Sequence, residues 1–374
     1  MVKEKLVQQA YEIARERYAA LGVDVDAALN KLQRISLSLH CWQADDVSGF
    51  ENPDGELTGG IQSTGNYPGK ARNIDELRAD IKKATSFIPG KHRLSLHAIY
   101  GDFQGKFVER DQLEPKHFAS WMQWAKENEM KLDFNSTSFS HPKSEALTLS
   151  SPKKEIREFW IEHTKRCRAI AEAMGVYQGS PCVMNLWIHD GSKDMTVNRL
   201  EYRRILEQSL DEIFAQKYNN MKDCIESKLF GIGAEYYTVG SHDFYLGYGV
   251  KNQKIVTLDT GHFHLTESIA DKISCLLLFT PEIMLHVSRP IRWDSDHVTL
   301  MSDDTLELAK EIVRANALDR VNIGLDYFDG SINRIGAYVI GSRATQKCFL
   351  HALLEPIEIL RKYESKEQGF ERLA

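Results

Sequence analysis

The sequence predicts an α/β protein: a closed (β/α)8 barrel, the TIM barrel, with additional N- and C-terminal helices, all in one domain spanning residues 1–374. Three observations predict it. Eight short apolar runs, rich in Val, Ile and Leu, alternate with amphipathic helical stretches between about residues 34 and 341. The runs are nearly continuous in apolar character, as in a parallel sheet covered on both faces. Acidic and imidazole side chains gather where the runs end, which is where such a barrel carries its chemistry.

The elements follow in order. Leu6, Ala10, Ile13, Ala14 and Ala20 recur at helical spacing and predict a helix over 3–22 with Gly22 at its end. Arg34–Trp42 is the first strand run. A long irregular stretch follows, in which six of the 24 glycines fall between Gly49 and Gly69. It lacks both G-x-x-x-x-G-K-[ST] and G-x-G-x-x-G, so it does not read as a nucleotide loop. A helix over Ile74–Ile88 leads to the run Arg93–Tyr100, and a helix over Lys116–Glu129 leads to Lys131–Phe139. The next helix carries Ile156, Phe159, Trp160, Cys167, Ile170 and Met174 on one face, with Ser151 as cap and Pro152 at its first position. The run Pro181–Ile188 comes next, then a helix through Leu200–Gln216 and the fifth run from Cys224. This fifth unit is the least regular, because Ser241–Asn252 is a poor helix pattern. Lys254–His262 is the sixth run, Met284–Ile291 the seventh and Arg320–Phe328 the eighth, with helices over Ser268–Phe279 and Asp303–Ala315 between them. A C-terminal helix over 342–364 follows, bent by Pro356.

Bulk properties bound the function. The chain is 42% hydrophobic and 27% charged, with a formal net charge of -6. Its cations are scattered rather than blocked, so neither nucleic acid nor an anionic membrane is an expected partner. The six cysteines are far apart, without C-x-x-C, and mostly lie in apolar runs, as reduced core residues do. The N-terminus has no apolar signal core, and no apolar stretch is long enough to span a bilayer. The expectation is a cytoplasmic protein.

Filtering for polar residues at run ends leaves His97, Asn185, Trp187, Glu226, Lys228, Asp259, His262, His286, Asp294, Asp296 and Asp326. Any one Asp or His at a strand end is more often a helix cap or a partner for a loop amide. The set is harder to dismiss, since several carboxylates and imidazoles at one mouth would repel or be desolvated without a cation. Oxygen-rich ligation with imidazoles suits Mn²⁺, Mg²⁺, Co²⁺ or Zn²⁺. The D-x-x-H at Asp259 and His262 and the D-x-D at Asp294 and Asp296 come from consecutive units. Glu226 and Lys228 form E-x-K and point the same way from the fifth run, as a buried ion pair or as a lysine holding a substrate oxygen. Adjacent carboxylates favour the charged amine, which argues against Schiff-base chemistry. His40, His141, His264 and His297 read as local or supporting residues. Trp42, Phe50, Tyr100, Trp187, Trp293 and Phe328 read as packing, or as faces against a sugar ring.

With those residues in place, the chain resembles the L-rhamnose isomerase family over essentially its whole length. The resemblance rests on HCWQADDVSGFENPDGELTGG from His40, TGNYPGKARN from Thr64, LSLHAIYGDF from Leu94, and ESKLFGIGAE from Glu226. LDTGHFH from Leu258, HVSRPIRWDSDHV from His286 and IGLDYFDGSINRI from Ile323 complete it. It implies a homotetramer that interconverts L-rhamnose and L-rhamnulose with two divalent ions per subunit, Mn²⁺ foremost. On the family pattern His262, Asp294 and Asp296 hold the catalytic ion, Asp259 bridges, and Glu226, His286 and Asp326 complete a second, structural site. Family members continue past the last helix, whereas this chain stops at Ala374. A genuinely shorter chain would bear on packing over the barrel and on subunit contacts and leave the metal ligands alone, whereas a disordered or omitted tail would change nothing.

For that conversion the expectation is a metal-assisted hydride shift, with Lys228 stabilising the O1 side and Asp326 or a metal-bound hydroxide moving the hydroxyl proton. An enediol route with a carboxylate base stays open. His97 and Trp187 are expected to bind the sugar, and Trp187, Phe50 and Phe134 to form an apolar pocket for its 6-methyl group. The alternatives are another metal-dependent barrel, an epimerase or a phosphodiesterase, and a sugar-binding protein without activity. No phosphate-gripping basic cluster favours the phosphodiesterase, and a mere binder has no need of two cations.

Overall fold

The structure is a computed structural model and describes residues 3–52, 65–228, 236–291 and 295–374. Two helices come first, α1 (Glu4–Ala19) and α2 (Val25–Leu32), separated by a turn through Gly22 at φ +78°. The predicted 3–22 helix therefore ends three residues early. α1 buries none of its side chains, while α2 is capped by Asp24, whose side chain accepts from the Ala27 amide.

Eight parallel strands then close into a barrel: β1 (Leu37–His40), β2 (Arg93–His97), β3 (Lys131–Asn135), β4 (Cys182–Leu186), β5 (Met221–Glu226), β6 (Ile255–Asp259), β7 (Ile283–Val287) and β8 (Val321–Leu325). Each pairs with its neighbours in sequence, and β8 pairs back onto β1 with Leu37 opposite Ile323. The connecting helices are α3 (Ile74–Thr85), α4 (Ala119–Glu127), α5 (Lys154–Gln178), α6 (Arg199–Phe214), α7 (His242–Asn252), α8 (Ile269–Leu277) and α9 (Asp303–Arg314). The chain continues as α10 (Arg334–Leu353), α11 (Ile357–Glu364) and α12 (Gly369–Leu373). A two-residue antiparallel ribbon joins Gly191–Ser192 to Tyr237–Thr238 over the barrel mouth side of β4 and β5.

The strands are shorter than the apolar runs that announce them. The run Lys131–Phe139, for instance, leaves the ladder after Asn135, because the chain must turn into loops that frame the mouth. Three local expectations are corrected. α5 starts at Lys154 with Lys153 at its cap position, so Ser151 and Pro152 precede the helix; the Ser151 carbonyl accepts from Arg157 Nη1 at 2.7 Å. Ser241–Asn252, despite Gly247 and Gly249, forms α7, held by packing of Tyr245 and Tyr248 in a core with Ile225 and Val239. Residues 342–353 belong to α10, which begins at Arg334, and Pro356 separates it from α11 rather than bending one helix.

Alternation along the strands sorts side chains between two cores. Leu37, Leu39, Leu94, Leu96, Leu132, Phe134 and Leu258 face the helical layer and join the main apolar core. Val183, Cys224, Ile255 and Met284 fill the barrel interior as a separate plug. Above that plug, the last inward residue of each of β1 to β7 is polar, and Asp326 follows the inward Gly324 of β8.

Candidate active site

Parity brings the polar residues together. In β2 to β7 the final inward positions are His97, Asn135, Asn185, Glu226, Asp259 and His286, with His40 ending β1 and Asp326 following β8. All eight are buried. With Trp42, Phe139, Trp187, Lys228, His262, Asp296 and Phe328, most of them line a small cavity at the C-terminal mouth.

Its centre is a tight group of carboxylates around one imidazole. One ligand-type atom from each of Glu226, Asp259, His286 and Asp326 lies within 4.8 Å of the others. His286 Nδ1 is 3.2 Å from Glu226 Oε2, 3.1 Å from Asp326 Oδ2 and 3.9 Å from Asp259 Oδ2, yet neither ring nitrogen of His286 makes a hydrogen bond of normal geometry. Ligands held about 2.1 Å from an octahedral ion stand about 3 Å apart, so this spacing is that of neighbouring ligands sharing one cation. Three buried carboxylates with an imidazole and no thiolate make a hard donor set for a divalent ion. The residues present fit a metal. His40, with Nδ1 at 3.1 Å from Asp326 Oδ1, forms a second grouping with His286 and Asp326.

The electrostatics of the cluster agree. Burial pushes the Glu226 carboxyl upward, but His286, His262 and the amide of Asn185 outweigh it and hold the group at about 2. Burial pulls His286 downward, and the charges of Glu226 and Asp326 overcome it and raise the imidazole well above its usual range. A proton on His286 thus does the neutralising that a cation would do on binding. Beside this core, burial, then His286, drives His40 well below the usual range and His97 to about 3. Asn185 donates to Glu226 and accepts from Thr257 Oγ1 at 2.8 Å, so the carboxylate is fixed from behind. Asp259 Oδ1 accepts from the Gly261 amide at 2.6 Å, which turns the following loop so that His262 re-enters the cavity.

Lys228 Nζ lies 2.9 Å from His262 Nε2 and 5.2 Å from the Trp187 ring centroid. His262 Nδ1 is also 3.2 Å from Glu226 Oε1. His97 stacks on Trp42 with ring centroids 4.0 Å apart, and Phe328 and Phe139 extend that aromatic wall.

Of the residues expected from the sequence, Glu226, Lys228, Asp259, His262, His286, Asp296, Asp326, His97, Asn185 and Trp187 meet at this cavity. Asp294 lies outside the described residues, as does Trp293. Two aromatic expectations are corrected. Phe134 is fully buried on the outer face of β3 against Phe118, because the inward position belongs to Asn135. Phe50 packs edge-on to Tyr100 in the core rather than lining the cavity. Residues missed by the filter are His40, Asn135 and Phe139. Strand parity would have found the first two, since each ends its strand as His97 ends β2, whereas Phe139 lies in the loop beyond its strand.

Fold and cluster together define a class: a (β/α)8-barrel enzyme with a carboxylate–imidazole site suited to a divalent ion at its C-terminal mouth. A solved xylose isomerase domain protein from Alicyclobacillus acidocaldarius shares the fold, with a TM-score of 0.50 at 13% identity over 85% of this chain and 99% of that one. The family model for L-rhamnose isomerase (RhaA) matches residues 5–374, and the chain belongs to that family. An L-rhamnose isomerase of Bacteroides thetaiotaomicron is 71% identical over all of this chain and 90% of its own length. One from Salmonella typhimurium is 56% identical over 98% of this chain and 88% of its own.

Proposed function

We propose that this protein interconverts L-rhamnose and L-rhamnulose, the first step of L-rhamnose catabolism, at a two-metal site in the barrel mouth. The observation that carries the reading is the convergence of Glu226, Asp259, His286 and Asp326 on one point beside Lys228, in a chain of this family. Those four residues would hold one ion, and His262, Asp294 and Asp296, with Asp259 shared, would hold the other. A divalent ion, Mn²⁺ before Co²⁺, Zn²⁺ or Mg²⁺, supplies Lewis-acid stabilisation of charge developing on the sugar oxygens.

The chain's own residues do the rest. Lys228 donates to O1 and steadies it as negative charge builds there. Asp326 holds and moves the hydroxyl proton. His97, neutral and clamped against Trp42, offers a hydrogen bond to a sugar hydroxyl, and Trp187 covers the ring face. In this reading the hydrogen passes between C2 and C1 as a hydride, and an enediol route with a carboxylate base is the alternative that the test below separates from it. The same reading includes one domain, a homotetramer and a cytoplasmic setting. One apolar core running from Ile35 to Ala352 supports the first, exposed Leu6, Val7, Ile13, Leu278 and Phe279 support the second, and six free thiols support the third. No described helix is long and apolar enough to cross a membrane.

The test is conversion of L-rhamnose in deuterium oxide by the metal-loaded protein, with the ketose followed by proton NMR. L-Rhamnulose should appear with little deuterium at C1. Near-stoichiometric deuterium there contradicts the hydride shift, and absence of ketose contradicts the activity.

A further inference from the structure

The side of the cavity formed by the loops after β1 and β3 rests on a buried arginine that the reaction as described leaves unused. Arg110, in the connection between β2 and α4, is 1% exposed. Every N–H of its guanidinium is engaged. Nε and Nη2 grip the Glu51 carboxylate at 3.0 and 2.8 Å. Nη1 donates to the carbonyls of Thr137 and Phe139 at 2.8 and 2.6 Å, and Nη2 to that of Ser140 at 3.1 Å. One side chain therefore ties together the loops that follow β1, β2 and β3. From outside, the Trp160 ring lies 5.9 Å from the guanidinium and His163 Nδ1 sits 3.1 Å from the Arg110 carbonyl, so α5 fixes the arginine itself.

The gripped backbone carries Phe139, which enters the cavity with its ring 6.5 Å from Trp42 and 6.0 Å from Trp187. The next residue, Ser140, has φ +52°, a left-handed conformation that a serine keeps only when its surroundings impose it. A buried ion pair is a weak source of stability compared with apolar packing of the same volume. What the planar fork of an arginine supplies is geometry.

We propose that Arg110, paired with Glu51, is a positioning residue for substrate specificity, holding Phe139 as the wall against which the sugar end remote from C1 and C2 packs. The proposal rests on the reading of this cavity as a sugar site. With C1 and C2 held at the carboxylates and Lys228, the rest of the sugar extends toward Trp42, Phe139 and Trp187. An aromatic wall accepts a methyl group and penalises a hydroxymethyl, whose hydroxyl would lose water without finding a partner.

L-Rhamnose, L-mannose and L-lyxose share configuration at C2 to C4 and carry methyl, hydroxymethyl and hydrogen at C5, so they probe this wall directly. Steady-state kinetics would be measured on the metal-loaded wild type, Arg110→Lys and Glu51→Gln. In both variants the kcat/KM preference for L-rhamnose over L-lyxose should fall by about tenfold or more, through KM, with kcat on L-lyxose and metal content per chain within about threefold of wild type. Phe139→Leu should reproduce the shift and combine with Glu51→Gln less than additively. Glu51→Gln keeps the shape of the pair and carries the test if Arg110→Lys does not fold. An equal loss on both sugars, or an unchanged preference, overturns the proposal. A wild type that turns over none of the three sugars contradicts the sugar-isomerase reading instead.

Discussion

Asp45 shows how one buried residue ties the loop after β1 to pH. Its carboxylate accepts from Tyr100 Oη at 2.5 Å and from the Gly49 amide at 2.7 Å, but burial outweighs both and pushes its pKa up to about 7. An unfolded aspartate loses its proton near 3.8. Between those values the folded chain keeps a proton that the unfolded chain has lost, so the contribution of Asp45 to stability falls as pH rises, by about 1.4 kcal/mol per pH unit. Above about 7 the loss is complete. Asp45→Asn removes this dependence. The melting temperature of the variant minus that of wild type should climb between pH 4 and 7 and then level off, and parallel curves would refute it. At the same scale, parity along a strand decided what was legible in the candidate site. Glu226, Asp259, His286 and Asp326 stand at run ends with the polarity that an inward rim position demands. Phe134, one residue from the inward Asn135, was misplaced by that single step of alternation. His40 was legible by the same rule and passed over because a lone histidine reads as local.

Among the elements, β8 and β7 are matched through a position with no side chain. Gly324 lies opposite His286, and a Cβ there would stand 2.9 Å from Met284 Cε and 3.1 Å from His286 Cδ2. The methionine tip can yield, whereas the ring would have to shift by a few tenths of an ångström from its place among Glu226, Asp259 and Asp326. Gly324→Ala should therefore weaken metal affinity by roughly tenfold, within the range for residues that orient ligands, while the metal-free protein melts close to wild type. Metal titration by calorimetry beside a thermal melt checks this; unchanged affinity would show that His286 is not held by that contact. The alternation of strands and helices was plain because continuous apolar runs and amphipathic stretches have different periods. Ends were not, since the C-terminal part of each run leaves the ladder to frame the mouth. α7 was obscured by its glycines and is held by Tyr245 and Tyr248 through packing that local propensity does not express.

At the scale of the whole molecule, closure of the barrel turns residues from sequence positions 226 to 326 into one cluster within 4.8 Å. The alternating pattern foretold that closure, because eight buried parallel strands have few other arrangements. The aromatic wall was less legible: it draws on loops after β1, β3 and β4, and those after β1 and β3 are tied by the Arg110–Glu51 pair and its carbonyl partners, a tertiary arrangement with no local signature. The central claim is that this mouth is a metal-dependent site for aldose–ketose isomerisation of L-rhamnose. It is tested most directly by stripping the protein with EDTA, removing the chelator, and following L-rhamnulose formation as Mn²⁺ is returned. The account predicts that turnover falls by about a hundredfold or more without metal and recovers as ions bind, up to two per chain. Undiminished turnover in the metal-free protein, or none with Mn²⁺, Co²⁺, Zn²⁺ or Mg²⁺, would contradict it.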